Sequence, residues 1–265
     1  MPALYAHKKF GALVYKKLPR NIKKIVSENR DEFLIGLHGP DPLFFHVTKM
    51  GDSVAELGKE IHRHSFEEMY LRAHERVQKS GDKAELAYFI GFICHFVSDA
   101  TIHPLVKDAM VETGLSHGKI ETELERYILN EGGKKALKYP SHAHLPVLLS
   151  VAEHASVFYE NVTPTQFLGC MAEMKAINGI CRTTDKTARK VLTTVMDVTG
   201  NEDKAASLIM SKDTSGMALK YVKKMNKVLK EQVPTAVSEI VTFVDTIDGE
   251  AKVSPLVRKN FYGVE

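Results

Sequence analysis

The segment FICHFVSDATIHPLV, residues 92–106, sets His95, Asp99 and His103 four residues apart within an otherwise apolar run. Imidazole nitrogens and carboxylate oxygens carry protons, and they also ligate borderline metal ions. In a helix, residues four apart stand one turn above each other, so these three share one face over about 12 Å of axis. An unpaired polar group in an apolar setting costs on the order of 1–3 kcal/mol, and a charge costs more. Two arrangements satisfy all three side chains: a metal ion, or core histidines hydrogen-bonded to Asp99.

Other candidates lie nearby in the chain. HGKIE places His117 and Glu121 four apart at the start of another helix. Asp41 stands in HGPDP, where Gly39 permits unusual backbone angles and the prolines stiffen the loop. His62, in ELGKEIHRH, falls on the apolar stripe Val54, Leu57, Ile61, Met69, whereas His64 points elsewhere. His7 shares the first amphipathic stretch with Leu4 and Phe10. Each has an ordinary reading, as a surface pair, a turn aspartate or a core histidine. Together they offer only nitrogen and oxygen donors, a set suited to zinc or a similar ion rather than to a thiolate site. All 12 histidines lie between His7 and His154, so chemistry is expected in the first half of the chain.

The elements that must position these residues read as helices. With 44% hydrophobic and 26% charged residues the chain is an ordinary globule, which excludes disorder and collagen-like states. Apolar residues recur at three- and four-residue steps from Leu4 to Leu18, and Pro19 closes that helix. Helices are then expected over Arg20–Gly36, from Asp52 or Ser53 past Tyr70 to Lys79, over Lys83–His103 with Pro104 ending it, and from Ser116 to Leu129. Further helices are expected to start near His144, Thr163, Thr183, Glu202 and Thr214, with Pro234 kinking or splitting the last. No convincing β alternation occurs. The expectation is an all-α, single-domain multi-helix bundle over 1–265, with a metal-binding half, 1–145, and a helical scaffold half, 146–265.

Five stretches, in order, carry a resemblance: MPALYAHKKFG, LIGLHGPDPLFF, LGKEIH, LAYFIGFICHFVSDATIHP and HGKIETELERYIL. Over residues 1–130 the chain resembles the zinc-dependent phospholipase C family, in particular its bacterial branch without a signal peptide, and the related single-strand-specific zinc nucleases. The resemblance implies an all-α fold holding up to three zinc ions in a cleft. It implies that Asp41, His62, His95 and Asp99 hold one ion, that Asp99 bridges to a second served by His7, and that His117 and Glu121 hold a third completed by His103. Two features depart from the secreted enzymes. Their mature amino terminus is itself a ligand and lies further from the first histidine than Met1 or Pro2 lies from His7. His103 follows Asp99 by four residues where they use six.

Paired zinc ions activate a bridging water as hydroxide and clamp a phosphoryl group. The expected activity is therefore phosphoester hydrolysis, most of all of a phosphodiester such as a phospholipid head-group linkage, with Asp41 and Asp99 as the catalytic carboxylates. A nuclease or nucleotidase on the same frame is the nearest alternative, although the chain lacks tryptophan for stacking bases. A helical module with purely structural metal is the non-enzymatic one. Lys8, Lys9, Lys16, Lys17, Arg20, Lys23 and Lys24 precede the first acid, Glu28, and suit anionic lipid or a phosphate-rich substrate; the alternative is a solvated helix face. A net charge of +3 gives no argument for nucleic-acid wrapping. Phe44, Phe45, Tyr70 and Tyr88 are expected in the core. Cys94, Cys170 and Cys181 suggest no disulfide framework, no signal-peptide core can be drawn, and the longest apolar run, Leu86–Val97, is too short to span a bilayer; a cytoplasmic protein is expected.

Overall fold

The computed structural model describes residues 4–46, 53–181, 209–210 and 216–265, with 187, 190, 191 and 194 as single helical positions. The described chain is all-α, with no strand. Its helices are α1 (Leu4–Lys17), α2 (Arg20–Glu28), α3 (Arg30–Gly36), α4 (Ser53–Arg63), α5 (Phe66–Ser80), α6 (Lys83–Thr113), α7 (His117–Glu131), α8 (Leu149–Ser156), α9 (Pro164–Cys181), α10 (Leu219–Glu231) and α11 (Val233–Asp245). Short 3-10 turns cover Asp41–Phe45, Ala136–Lys138, Ser141–His144 and Gly216–Ala218.

Helix α6 is the axis of the protein. The Asp82 carboxylate starts it by accepting from the backbone N–H groups of Ala84 and Glu85, and Gly114, at φ +68°, ends it. Nearly every side chain from Ala84 to Ala100 is buried, because α1, α2, α3, α5, α7, α8, α10 and α11 all pack around it. Length and composition alone would let α6 cross a bilayer, but its apolar window is mostly buried against these helices. One aromatic cluster, Phe66, Tyr70, Phe89, Phe92, Phe96, Phe243 and Phe261, fills the space between α5, α6 and α11. Tyr70, Tyr88 and Phe45 are buried as expected, and Phe44 is half-buried against the His62 ring.

Several expected boundaries change. The single helix over Arg20–Gly36 is two, because Asn29 turns its side-chain amide back onto the Ile25 carbonyl and leaves helical geometry. The helix from Ser53 to Lys79 is also two; Ser65 breaks it, capping α5 through the Glu67 N–H while its hydroxyl donates to the Arg258 carbonyl. Pro104 does not end α6, which runs on to Thr113. Proline cannot bond the Ala100 carbonyl, and the backbone of Gly263 sits in tight contact there and against the Pro104 ring. The helix expected near His144 starts at Leu149, since Leu145 is extended ahead of Pro146. A reciprocal Thr163–Gln166 box opens α9, and Pro234 falls in the first turn of α11, splitting it from α10. The starts expected at Thr183, Glu202 and Thr214, and the cap at Asp52, lie outside the described residues.

The crossing of α3 over α6 sets the position of the HGPDP turn. A Cβ on Gly91 would lie 2.5 Å from the Phe33 carbonyl oxygen and 2.8 Å from the Leu37 nitrogen, and one on Gly36 would collide with the Tyr88 carbonyl. The two backbones therefore touch, and the chain leaving α3 enters His38–Asp41 directly over His95. Gly39 completes the approach: its φ is +45°, and a Cβ there would lie 2.5 Å from the His95 ring. Gly91→Ala is expected to destabilise the fold by about 3 kcal/mol, because backbone and not a flexible side chain must yield. Gly169→Ala, inside α9 with nothing within 4 Å, is expected to raise stability by up to about 1 kcal/mol. Urea midpoints of the two variants check both signs.

Candidate metal centre

Five elements bring the eight candidate residues together. His7 comes from the first turns of α1, Asp41 from the 3-10 turn, His62 from the end of α4, His95, Asp99 and His103 from successive turns of α6, and His117 and Glu121 from the start of α7. All are buried except His117, which is 36% exposed and marks the open side. Three groups have ligand atoms within 4.8 Å of one another: Asp41 with His62 and His95; His7 with His95 and Asp99; His103 with His117 and Glu121. His64, as expected, is exposed.

Distances inside the groups suit a small cation. Asp41 Oδ1 lies 3.2 Å from His62 Nε2 and 3.6 Å from His95 Nε2. Asp99 Oδ1 is 3.4 Å from His7 Nε2, and its Oδ2 is 3.5 Å from His95, 3.9 Å from His62 and 4.0 Å from His103. Glu121 Oε1 is 3.5 Å from His103 and 3.1 Å from His117. Tetrahedral zinc with bonds of about 2.0–2.1 Å separates its ligand atoms by about 3.3 Å. The shortest separations in each group bracket that edge. Asp99 is the hub, touching members of all three groups.

Hydrogen bonds on the far side of the rings fix their tautomers. The His62 Nδ1–H donates to the Gly58 carbonyl at 2.7 Å, and the His103 Nδ1–H to the Phe261 carbonyl at 2.7 Å. The Ser98 hydroxyl spends its proton on the His95 carbonyl, so its oxygen accepts from His7 Nδ1 at 2.9 Å. These oxygens accept, so each of His7, His62 and His103 carries its proton on Nδ1 and, as a neutral ligand, would turn an Nε2 lone pair inward. At His62 that lone pair faces Asp41 Oδ1, and neither atom has a hydrogen-bond partner among the described residues; nor does His95 Nε2. Two acceptors buried 3.2 Å apart need a cation or a proton between them.

Electrostatics agree. Burial lowers His7 to about 3 and His62 to about 4, and it lowers His95 with help from the neighbouring His7 and His62 rings, so these imidazoles stay neutral. Burial pushes the Asp41 and Asp99 carboxyls up, Asp99 to about 8. A divalent ion reverses that preference and ionises them. Burial would likewise raise Glu121, but nearby positive charge leaves its carboxyl well below the usual range. The orphaned inward atoms and the all-N/O donor set therefore fit zinc.

Three features were not visible in the motifs. His38, buried beside His7, pairs its Nε2 with His144 Nε2 at 2.8 Å, and burial holds both rings neutral. Its position just ahead of Gly39 was the only available signal. Tyr88 and Tyr159 join hydroxyls, and Tyr88 donates to the Gly39 carbonyl, fixing the turn that carries Asp41. Residues 146–265, expected only as scaffold, supply Phe261, whose carbonyl orients His103, and Tyr262, whose ring lies 5.3 Å from that of His103 on the open side. A backbone carbonyl leaves no mark in sequence. Met1 and Pro2, where the chain departs from the amino-terminal ligand of the secreted enzymes, lie outside the described residues.

Comparison with curated proteins and with solved structures finds no match. The profile of one family, described as zinc dependent phospholipase C, matches residues 6–174, well over half of the chain and a span containing all eight converging side chains. With that match and this donor set, the chain belongs to the zinc-dependent phospholipase C family.

Proposed function

We infer that the protein is a zinc-dependent phosphoester hydrolase, a phosphodiesterase of phospholipase C type acting on a phospholipid head-group linkage. The observation that carries this reading is the convergence of eight N/O donors in which buried acceptor atoms face one another. In this reading Asp41, His62, His95 and Asp99 would hold one ion, Asp99 with His7 would hold a second, and His103, His117 and Glu121 would hold a third. Bound zinc supplies an acidified water and positive charge to oppose a phosphoryl group.

The side chains do the rest. Asp99, with both oxygens engaged among the groups, keeps them in one constellation. Asp41, held over His62 and His95 by the stiff HGPDP turn, orients the attacking water and accepts its proton. The apolar walls of Phe44, Phe92 and Phe261 around His62 and His95 exclude bulk water and strengthen every charge interaction inside. The exposed His117 side is where substrate enters. Lys9, Lys16, Lys17, Arg20 and Lys24 are exposed on α1 and α2 and their junction, and Tyr15, Arg20, Asn21 and Lys24 line a concavity there. That basic face supports contact with anionic lipid head groups.

The test is zinc content by elemental analysis, with turnover of para-nitrophenyl phosphorylcholine and of single-stranded RNA before and after chelation. The expected result is bound zinc and chelation-sensitive cleavage of the choline ester; RNA cleavage alone would select the nuclease reading, and zinc without any turnover the structural one. Asp99→Asn is expected to lose zinc and more than about 100-fold in kcat/KM. Full occupancy with full turnover in that variant would contradict the role of Asp99.

Metal removal also has a pH signature. His7, His38, His62, His95 and His144 are held below the usual 6.5, so the unfolded chain binds protons that the folded one refuses, and stability is lost as pH falls below 6.5. Asp41 and Asp99 are raised from 3.8, so their protonated folded forms contribute stability that is lost as pH rises toward about 8. Five histidines dominate below pH 6.5 and only the carboxyls act above it. Chelated protein is therefore expected to be most stable near pH 6.5, with a fall toward pH 8 that zinc abolishes. Urea midpoints that still rise between pH 7 and 8 without metal would contradict the buried carboxyl shifts.

A further inference from the structure

We propose that the segment Arg258–Gly263 is a latch that makes His103 a metal ligand, so that its seating on α6 and the binding of an ion by His103, His117 and Glu121 support each other. The inference rests on the metal-centre reading above and adds a part of the chain that the family match, residues 6–174, does not reach. His62 is oriented by a carbonyl of its own helix, but His103 takes its orienting acceptor from Phe261, 158 residues away in sequence. Without that carbonyl nothing fixes the Nδ1–H tautomer on which an inward Nε2 lone pair depends.

The segment is built to hold this position. Phe66 N–H donates to the Lys259 carbonyl at 2.9 Å, Phe261 N–H to the His62 carbonyl at 3.3 Å, and the Asn260 side-chain amide to the Arg63 carbonyl at 3.2 Å. The latch thereby ties the α4–α5 junction, which carries His62, to the turn of α6 that carries His103. Asn260 Oδ1 accepts from the N–H groups of Tyr262 and Val264, folding the segment back on itself. Gly263, at φ +76°, brings its backbone onto the Ala100 carbonyl and the Pro104 ring. That is the one notch in α6 where a proline has removed the helical donor, one residue from His103. The Phe261 ring is fully buried against His62, His95 and Phe96, while Tyr262, 44% exposed, covers His103 from the open side.

Coupling of this kind is reciprocal: if the latch favours the ion, the ion favours the latch. Two variants test the first half. Gly263→Ala places a Cβ against the Ala100 carbonyl at a φ that alanine avoids, and Asn260→Ala removes three hydrogen bonds of the turn with no steric insertion. Zinc per chain is measured after dialysis, with circular dichroism on the same samples. The expected result is a loss of about one zinc equivalent relative to wild type in both variants at unchanged helix content; if Gly263→Ala loses helix content, Asn260→Ala alone decides. The second half is read on the intact protein by trypsin cleavage after Arg258 and Lys259, expected in the wild type to be at least fivefold faster after chelation and restored by zinc, and in zinc-loaded His117→Ala to be as fast as in the chelated wild type. Wild-type zinc content in Asn260→Ala, or tryptic rates at these bonds indifferent to zinc, would overturn the latch and leave the metal centre standing. Absence of zinc from the wild type would overturn the centre and the latch together.

Discussion

The structure turns on one opposition: imidazole lone pairs aimed at carboxylate oxygens in a buried interior, so that a proton or a cation must stand between them. His62 Nε2 against Asp41 Oδ1 is the clearest case, since the Gly58 carbonyl has claimed the other ring nitrogen. Burial makes the histidines poor bases and the aspartates weak acids, so without a cation the cluster keeps its protons on the wrong partners for catalysis. A divalent ion reverses the carboxyl preference and takes the neutral imidazoles as they stand. The energy for gathering such groups comes from the apolar shell, above all the rings of α5 and α6 and Phe261, which bury large areas around the polar cluster.

Position follows from a few backbone contacts more than from side-chain chemistry. Gly36 and Gly91 bring α3 onto α6 at contact distance, and Gly39 lets the next turn lie against the His95 ring. Asp41 is thus fixed by three glycines and two prolines, a stiff and strain-tolerant mounting for a carboxylate. On the other flank, α6 passes Pro104 without breaking, and the backbone of Gly263 packs against the Ala100 carbonyl that the proline leaves without a helical donor. The same contact presents Phe261 to His103. The long central helix is therefore a spine with three turns that carry candidate ligands, each clamped from outside by a different part of the chain: α1, the α3 turn, and the 258–263 segment.

Much of this was legible in the sequence, and the exceptions have physical causes. The four-residue spacing of His95, Asp99 and His103, and of His117 and Glu121, maps directly onto helix faces, and the structure puts both combs on buried faces turned toward each other. The all-α class followed from periodicity alone. The helix breaks at Asn29 and Ser65 were hidden because their neighbours are good helix formers and the breaking hydrogen bonds are a local amide and a contact to Arg258. Pro104 is the opposite case: a proline disfavours helical geometry before it, yet α6 is packed by eight other helices and runs through it to Thr113. His38 and His144 meet without any regular spacing between them. The carbonyl of Phe261 could not have been foreseen, since every residue has one.

The most direct test is the anomalous diffraction of a crystal of the wild-type protein grown with zinc and measured on both sides of the zinc absorption edge. The account predicts edge-dependent peaks among His7, Asp41, His62, His95 and Asp99, and a separate one between His103, His117 and Glu121. Crystals that contain zinc elsewhere but show no such peak, with the eight side chains hydrogen-bonded only to one another, would contradict it.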